Sequence, residues 1–203
     1  MGTIVLQAFI SLDGVVQGGG GPGEDDTGGF THGGWATDFD NEHGNADDDI
    51  VAQWEQKTEG LLLGRVTYDI FSGSWGVWDE SEPGLMGELT KRYNRVPKYV
   101  ASRTLTEPGW KNSHVLDSDL PAAVAKARDE VDGELRIWGS TVLVKTLAEN
   151  DLIDEYRLVV YPIVLGDGKK LFSHGFPTTR FGLAESRAMA SGVVVNVYRR
   201  AAE

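Results

Sequence analysis

The sequence predicts a single α/β domain: a central mixed, mostly parallel sheet with flanking helices and an antiparallel C-terminal edge. Three observations carry this. Short apolar runs bounded by glycine alternate with segments at helical spacing over most of the chain. Beyond Leu147 only strand-like runs remain. The length, 203 residues, suits one domain at about 100–200 residues each. With no internal repeat and no linker-like break, the domain is 1–203.

The elements follow in order. Thr3 to Ile10 is β-branched and apolar and stops at the turn signal Ser11-Leu12-Asp13-Gly14, so it reads as a buried strand. Residues 17–49, rich in glycine and acids, read as a long surface loop with little regular structure. From Asp49 the spacing of Ile50, Val51, Trp54, Lys57 and Thr58 is helical, behind acids suited to a helix N-terminus. Leu61 to Leu63, between Gly60 and Gly64, is a strand, and Arg65 to Phe71 opens a helix. Pro83 starts another through Leu85, Leu89 and Tyr93; Lys98 to Ala101 is a strand. Leu120 to Val131 is a helix with Asp117 or Ser118 as cap and Pro121 in its first turn. Leu135 to Trp138 is a strand and Val142 to Leu147 a helix. Ile153 to Ile163, Arg180 to Ala188 and Val193 to Arg200 are strands, the last two joined tightly at Ser191-Gly192.

Composition narrows function. Lysine and arginine total 19 against 31 acids, a net charge of −12, which disfavours nucleic acid and anionic membranes as partners. The absence of cysteine removes disulfides, thiol nucleophiles and cysteine-based metal sites, and fits a cytoplasmic protein. No apolar stretch approaches the ~20 residues that span a bilayer, and no signal peptide is legible. No metal is expected. The four histidines lack ligand spacing, and Asp38, Asp40 and Glu42 mimic a calcium loop whose glycine position holds His43. Gly18, Gly20 and Gly23 match a dinucleotide fingerprint but run into Glu24-Asp25-Asp26 instead of an apolar helix.

Ligands of open α/β sheets bind beyond the C-terminal strand ends. Two such ends, Gly64-Arg65-Val66-Thr67 and Gly139-Ser140-Thr141, join a strand through glycine to a helix, where free N–H groups attract phosphate. Arg65 and Arg103, with Thr67, Ser102 and Thr104, suit a terminal phosphomonoester such as the 2′-phosphate of NADPH. Trp54 and Trp138 fit a core; Trp35, Trp75 and Trp78 sit in loop contexts, where rings either line a heterocycle pocket or pack the loops down.

Read together, these segments resemble a known family. The set Ser11-Leu12-Asp13-Gly14, Leu62-Leu63-Gly64-Arg65-Val66-Thr67-Tyr68, Lys98 to Leu105, Trp110 to Ser113, Trp138-Gly139-Ser140, Leu152 to Glu155 and Pro162 to Gly168 is similar to the dihydrofolate-reductase-like superfamily. The nearest branch is the C-terminal reductase domain of bifunctional riboflavin-biosynthesis deaminase-reductases. The resemblance implies a dihydrofolate reductase-like fold, NADPH as cofactor and a homodimer. Gly64, Arg65, Val66 and Thr67 would hold the adenosine side and 2′-phosphate, assisted by Ser102 and Arg103. Gly139, Ser140 and Thr141 would take the pyrophosphate with Leu143 nearby, and Ala8 and the stretch after Asp13 would border the nicotinamide.

The expected activity is hydride transfer from NADPH to a small planar heterocyclic or conjugated acceptor, pterin-like or a pyrimidine-like riboflavin precursor. Asp13 is the first proton-donor candidate and Asp49 the second; Trp35, Tyr68 and Trp75 are expected pocket walls. The sequence departs from dihydrofolate reductases in crowding Asp47, Asp48 and Asp49 where one buried acid is usual, and from the riboflavin enzymes in its continuation Tyr68-Asp69-Ile70-Phe71. The alternatives are a non-catalytic nucleotide-binding homologue and a flavin- or pterin-binding module.

Overall fold

The computed structural model describes residues 2–44, 48–116 and 119–201. Its strands are β1 (Thr3–Ser11), β2 (Thr58–Gly64), β3 (Lys98–Ala101), β4 (Ser113–Leu116), β5 (Glu134–Trp138), β6 (Glu155–Tyr161), β7 (Phe181–Ala188) and β8 (Val194–Arg200). Its helices are α1 (Trp35–His43), α2 (Asp48–Glu55), α3 (Arg65–Gly73), α4 (Leu85–Arg95), α5 (Leu120–Glu130) and α6 (Thr141–Glu149). One sheet runs β4-β3-β2-β5-β1-β6-β8-β7. Every pair from β4 to β6 is parallel; β8 runs antiparallel to both β6 and β7.

The near-continuous apolar runs of β1 and β2 reflect burial on both faces of a parallel sheet. Ile4, Leu6, Ile10, Leu62, Leu135 and Ile137 face α5 and α6. The opposite face is split. Val159, Tyr161, Val195 and Val197 pack under α1 and α2 through Trp35, Ile50 and Trp54. Leu61, Leu63 and Val100 pack under α3 and α4 through Tyr68, Leu89 and Tyr93.

Four expectations are corrected. Residues 17–49 are not a bare surface loop: they contain α1 and a 3-10 turn at Thr27–Gly29, and Phe30, Trp35 and Ala36 are core residues. α1 has no strong apolar stripe; it is pinned by Trp35, whose Nε1 donates to the Gln17 carbonyl at 2.8 Å. β4, a four-residue edge strand, was unforeseen. The strand at 153–163 is parallel to β1, so the antiparallel edge is β8 and β7 alone. Finally, the cap candidates Asp117 and Ser118 lie outside the described residues, and Asp119 is the N-cap of α5, its carboxylate accepting from the Ala122 N–H.

Candidate active site

The two strand–glycine–helix joints meet at the C-terminal end of the sheet. Gly64 ends β2 in an extended conformation and α3 begins at once, with no side chain capping its first turn. At the second joint Gly139 (φ 56) and Ser140 (φ 59, ψ 63) are both left-handed, and α6 likewise starts without a side-chain cap. A serine in that conformation costs roughly 1–2 kcal/mol, so something must hold it. The Ser140 Oγ accepts the Gly64 N–H at 2.8 Å and lies 2.7 Å from Thr67 Oγ1. Its hydroxyl is thereby taken from capping duty and stitches one joint to the other.

This changes the reason for the glycines. A Cβ at Gly64 would overlap Ser140 Oγ, and one at Gly139 would come within 2.9 Å of Thr67 Oγ1. Both positions are bare so that the joints can touch, not merely so that a ligand can approach. The consequence is two uncapped helix N-termini side by side, a concentration of N–H donors and positive dipole ends that favours an anion.

Arg65 sits at the mouth of this pair. Its Nε donates to both oxygens of Asp69 at 2.9 Å, and its Nη1 reaches Thr104 Oγ1 at 3.5 Å. The first joint and the turn after β3 therefore share one side of the molecule. Ser102 Oγ is spent within that turn, accepting the N–H groups of Thr104 (3.2 Å) and Leu105 (3.0 Å). Arg103 and Val66 are exposed, Thr141 is half-buried, and Ala8 and Leu143 are buried in the layer under α5 and α6.

Beside the joints, the strand ends carry rings. Phe9, two residues beyond the buried Gln7 on central β1, is only partly buried, as is Trp138 at the end of β5. The two rings meet edge to face at 5.6 Å. Incomplete burial in the middle of the sheet marks an opening, with the α1–α2 layer on one side and the α3–α4 layer on the other. Phe71, Trp75 and Trp78 continue the aromatic surface, with Trp75–Trp78 centroids 4.7 Å apart.

Of the three expected pocket walls, only Trp75 has this placement. Trp35 is core and ties the glycine-rich segment to the sheet. Tyr68 is core as well; its hydroxyl accepts the Trp110 N–H at 3.0 Å. Trp138 packs against the core under α3 and α4, as expected, and its partly exposed ring also forms part of the floor.

Both proton-donor candidates are corrected. Asp13 accepts from Ser11 Oγ (2.7 Å), the Leu165 N–H (3.1 Å) and the Gly166 N–H (3.0 Å), and Lys170 Nζ lies 3.7 Å away. The Ser11 hydroxyl and the two amides hold its carboxyl down at about 2, so at neutral pH it is an anion fastening the loop after β6. Asp49 lies exposed on the first turn of α2, outside any apolar cleft; Asp47 lies outside the described residues. The carboxyl that spacing arguments passed over is Asp40 on α1. It is half-buried, its Oδ2 accepts the Tyr161 hydroxyl at 2.9 Å, and Tyr161 contacts Phe9, Trp35 and Phe39 edge to face.

At the opposite, N-terminal end of the same strands lies a buried run of ions. Arg136 donates to Gln7, Glu134 and the Trp54 carbonyl, with Glu55 3.6 Å away. Arg157 bridges Glu134 (2.7 Å) and Glu155 (2.6 Å), and Arg199 closes on Glu155 at 2.9 Å. Burial lowers the Arg136 pKa from its ordinary value, opposed by its carboxylate neighbours. Thr58 Oγ1 donates to Glu55 at 2.9 Å, and Tyr93, pushed well up by burial, accepts from Trp138 Nε1 at 3.1 Å.

Comparison with known proteins now bears on this geometry. Residues 2–195 match the RibD C-terminal domain model. The chain belongs to that family. It is 29% identical over 201 residues to the uncharacterised protein YyaP of Bacillus subtilis, covering 96% of this chain and 93% of the relative. Among solved structures, the "Putative riboflavin biosynthesis protein" of Shewanella sp. PV-4 superposes with a TM-score of 0.72 at 24% identity, over 98% of this chain and 99% of the other. Dihydrofolate reductase from Enterococcus faecalis, complexed with NADP(H), superposes with a TM-score of 0.54 at 13% identity, over 98% and 97% of the two chains. The fold is therefore dihydrofolate reductase-like. No helix among the described residues is long and apolar enough to cross a membrane.

Proposed function

We propose that this domain is an NADPH-dependent reductase that transfers hydride to a planar pterin- or pyrimidine-like acceptor. The observation that carries the reading is the stitched pair of joints. Two uncapped helix N-termini brought together by Ser140, with Arg65 at the rim, form a cradle for a dinucleotide's phosphates. The donor set fits the group: backbone N–H groups for a pyrophosphate, and Arg65, Arg103 and Thr104 for a 2′-phosphomonoester. When bound, the cofactor supplies the hydride. The chain's own tasks are to orient the acceptor on the floor of Phe9 and Trp138, exclude water there and provide a proton. Asp40, with Tyr161 donating to it among aromatic rings, is the proposed proton source in place of Asp13 and Asp49.

Fluorescence titration with NADPH and NADH tests the reading. NADPH is expected to bind at least about tenfold more tightly, since charge-assisted hydrogen bonds to the extra phosphate contribute roughly 1.5–3 kcal/mol each. Arg65→Ala with Arg103→Ala is expected to erase the preference. Equal affinity for both cofactors in the unaltered protein would remove the 2′-phosphate assignment, and no binding of either would favour a non-catalytic homologue.

A further inference from the structure

The same groove constrains what its second ligand carries. We propose that the acceptor is an uncharged or cationic planar heterocycle bearing no phosphate or carboxylate tail; this rests on the reductase reading above and narrows it. The argument is an accounting of cations. All 19 lysines and arginines fall among the described residues. An anionic tail leaving the floor of Phe9 and Trp138 needs one of them at the groove's outer rim.

None stands there uncommitted. Arg65 and Arg103 belong to the cofactor cradle. Lys169 is held by Asp25 and Thr27 at 2.7 and 2.6 Å, and Lys170 lies 3.7 Å from Asp13. Lys111 is paired with Glu80 at 3.1 Å. Arg136 and Arg157 are sealed at the foot of the sheet, and Arg92 and Arg95 face Glu59 near the start of β2. Lys98 is buried over the Trp110 ring. Arg180, Arg187, Arg199 and Arg200 lie along the β7–β8 edge, and Lys126, Arg128 and Lys145 are carried by α5 and α6 on the other face. Lys57 stands just before β2 at the foot, its carbonyl accepting the Glu134 N–H, and Lys91 lies in the half of α4 that runs down to Arg92, Arg95 and Glu59.

The elements flanking the floor carry exposed acids on both sides. α1 brings Asp38 and Glu42, both exposed. The segment between α3 and α4 brings Asp79 and Glu82, also exposed, beside Trp78. A terminal phosphate here would meet like charges with no fixed counter-ion, whereas the rings favour an apolar or cationic heterocycle.

A matched pair of probes tests this: riboflavin and its 5′-phosphate, which differ only in the anionic tail, titrated by flavin fluorescence quenching against protein saturated with NADP+. Riboflavin is expected to bind about tenfold or more tightly than its phosphate. Glu80→Gln, which releases Lys111 from its partner, is expected to narrow the gap several-fold by improving the phosphate form alone. Equal or tighter binding of the phosphate ester, or no binding of either flavin, overturns the proposal. A preserved preference for NADPH over NADH in the same preparation shows that the reductase reading survives such a failure. Loss of that preference with riboflavin still selected would instead strike the cofactor assignment.

Discussion

The strands β1, β5 and β6 carry opposite kinds of polarity at their two ends. At the foot, Arg136, Glu134, Arg157 and Glu155 alternate in sign and satisfy one another away from water. At the top, two residues along from Arg136 and Gln7, the side chains are Trp138 and Phe9, and the polar groups are backbone N–H donors left open at helix starts. The foot contains ionisable groups taken out of water, yet its charges are matched and enclosed. The top has few charges and unspent donors. Buried charge here marks architecture, and the place to look for chemistry is where donors are left unmatched.

Breaking the foot is expected to give the largest effect. Arg136→Met strands Glu55 in the interior and leaves Glu134 to Arg157 alone, and removing one partner of a buried ion set costs about 3–5 kcal/mol. Urea unfolding should show that loss, with affinity for NADPH little changed in the molecules that remain folded. Breaking the top is expected to do the reverse. Gly64→Ala forces the Gly64 and Ser140 joints apart, so NADPH affinity should fall about tenfold while stability drops by only about 1–3 kcal/mol, the usual range for overpacking. Gly64→Ala with Ser140→Gly, which restores the space but not the hydrogen bond, should recover part of the stability and little of the affinity.

The smallest expected effect concerns Lys98, an architectural cation outside the ion run. Its Nζ donates to the carbonyls of Tyr93 (2.8 Å) and Asn94 (3.4 Å), and burial, aided by Lys111, lowers its pKa from 10.5 to about 8. Between those values the unfolded chain holds a proton that the folded chain has released. This group therefore makes folding more favourable as pH rises from about 8 toward 10.5. Lys98→Met should flatten that part of the stability–pH curve, as measured by denaturant midpoints at a series of pH values.

The parts of this contrast differ in how far the amino-acid order discloses them. The joints are legible because apolar runs ending in Gly64-Arg65 and Gly139-Ser140 are local signals. The bond between them is not, since Ser140 and Gly64 are 76 residues apart. Asp13 was legible as a strand-end acid, but its role is set by Leu165 and Gly166, more than 150 residues later. α1 escaped notice because its stability comes from Trp35 and Ala36 docking on the sheet and not from a repeating stripe. With α1 read as loop, Asp40 looked like one of many solvated acids, and only Tyr161 singles it out. β4 offers four residues with Ser113 and His114 among them, too short and polar to register as a strand.

Hydrogen exchange with and without saturating NADP+ tests the division between the two ends most directly. Protection should rise at residues 64–67, 102–104 and 139–143 and stay unchanged at 134–136 and 155–157. It should also stay unchanged along the apolar groove of about 380 Å³ between Tyr156, Phe172, Phe181 and Tyr198. Protection that appears at the foot or in that groove, with none at the stitched joints, would contradict the account.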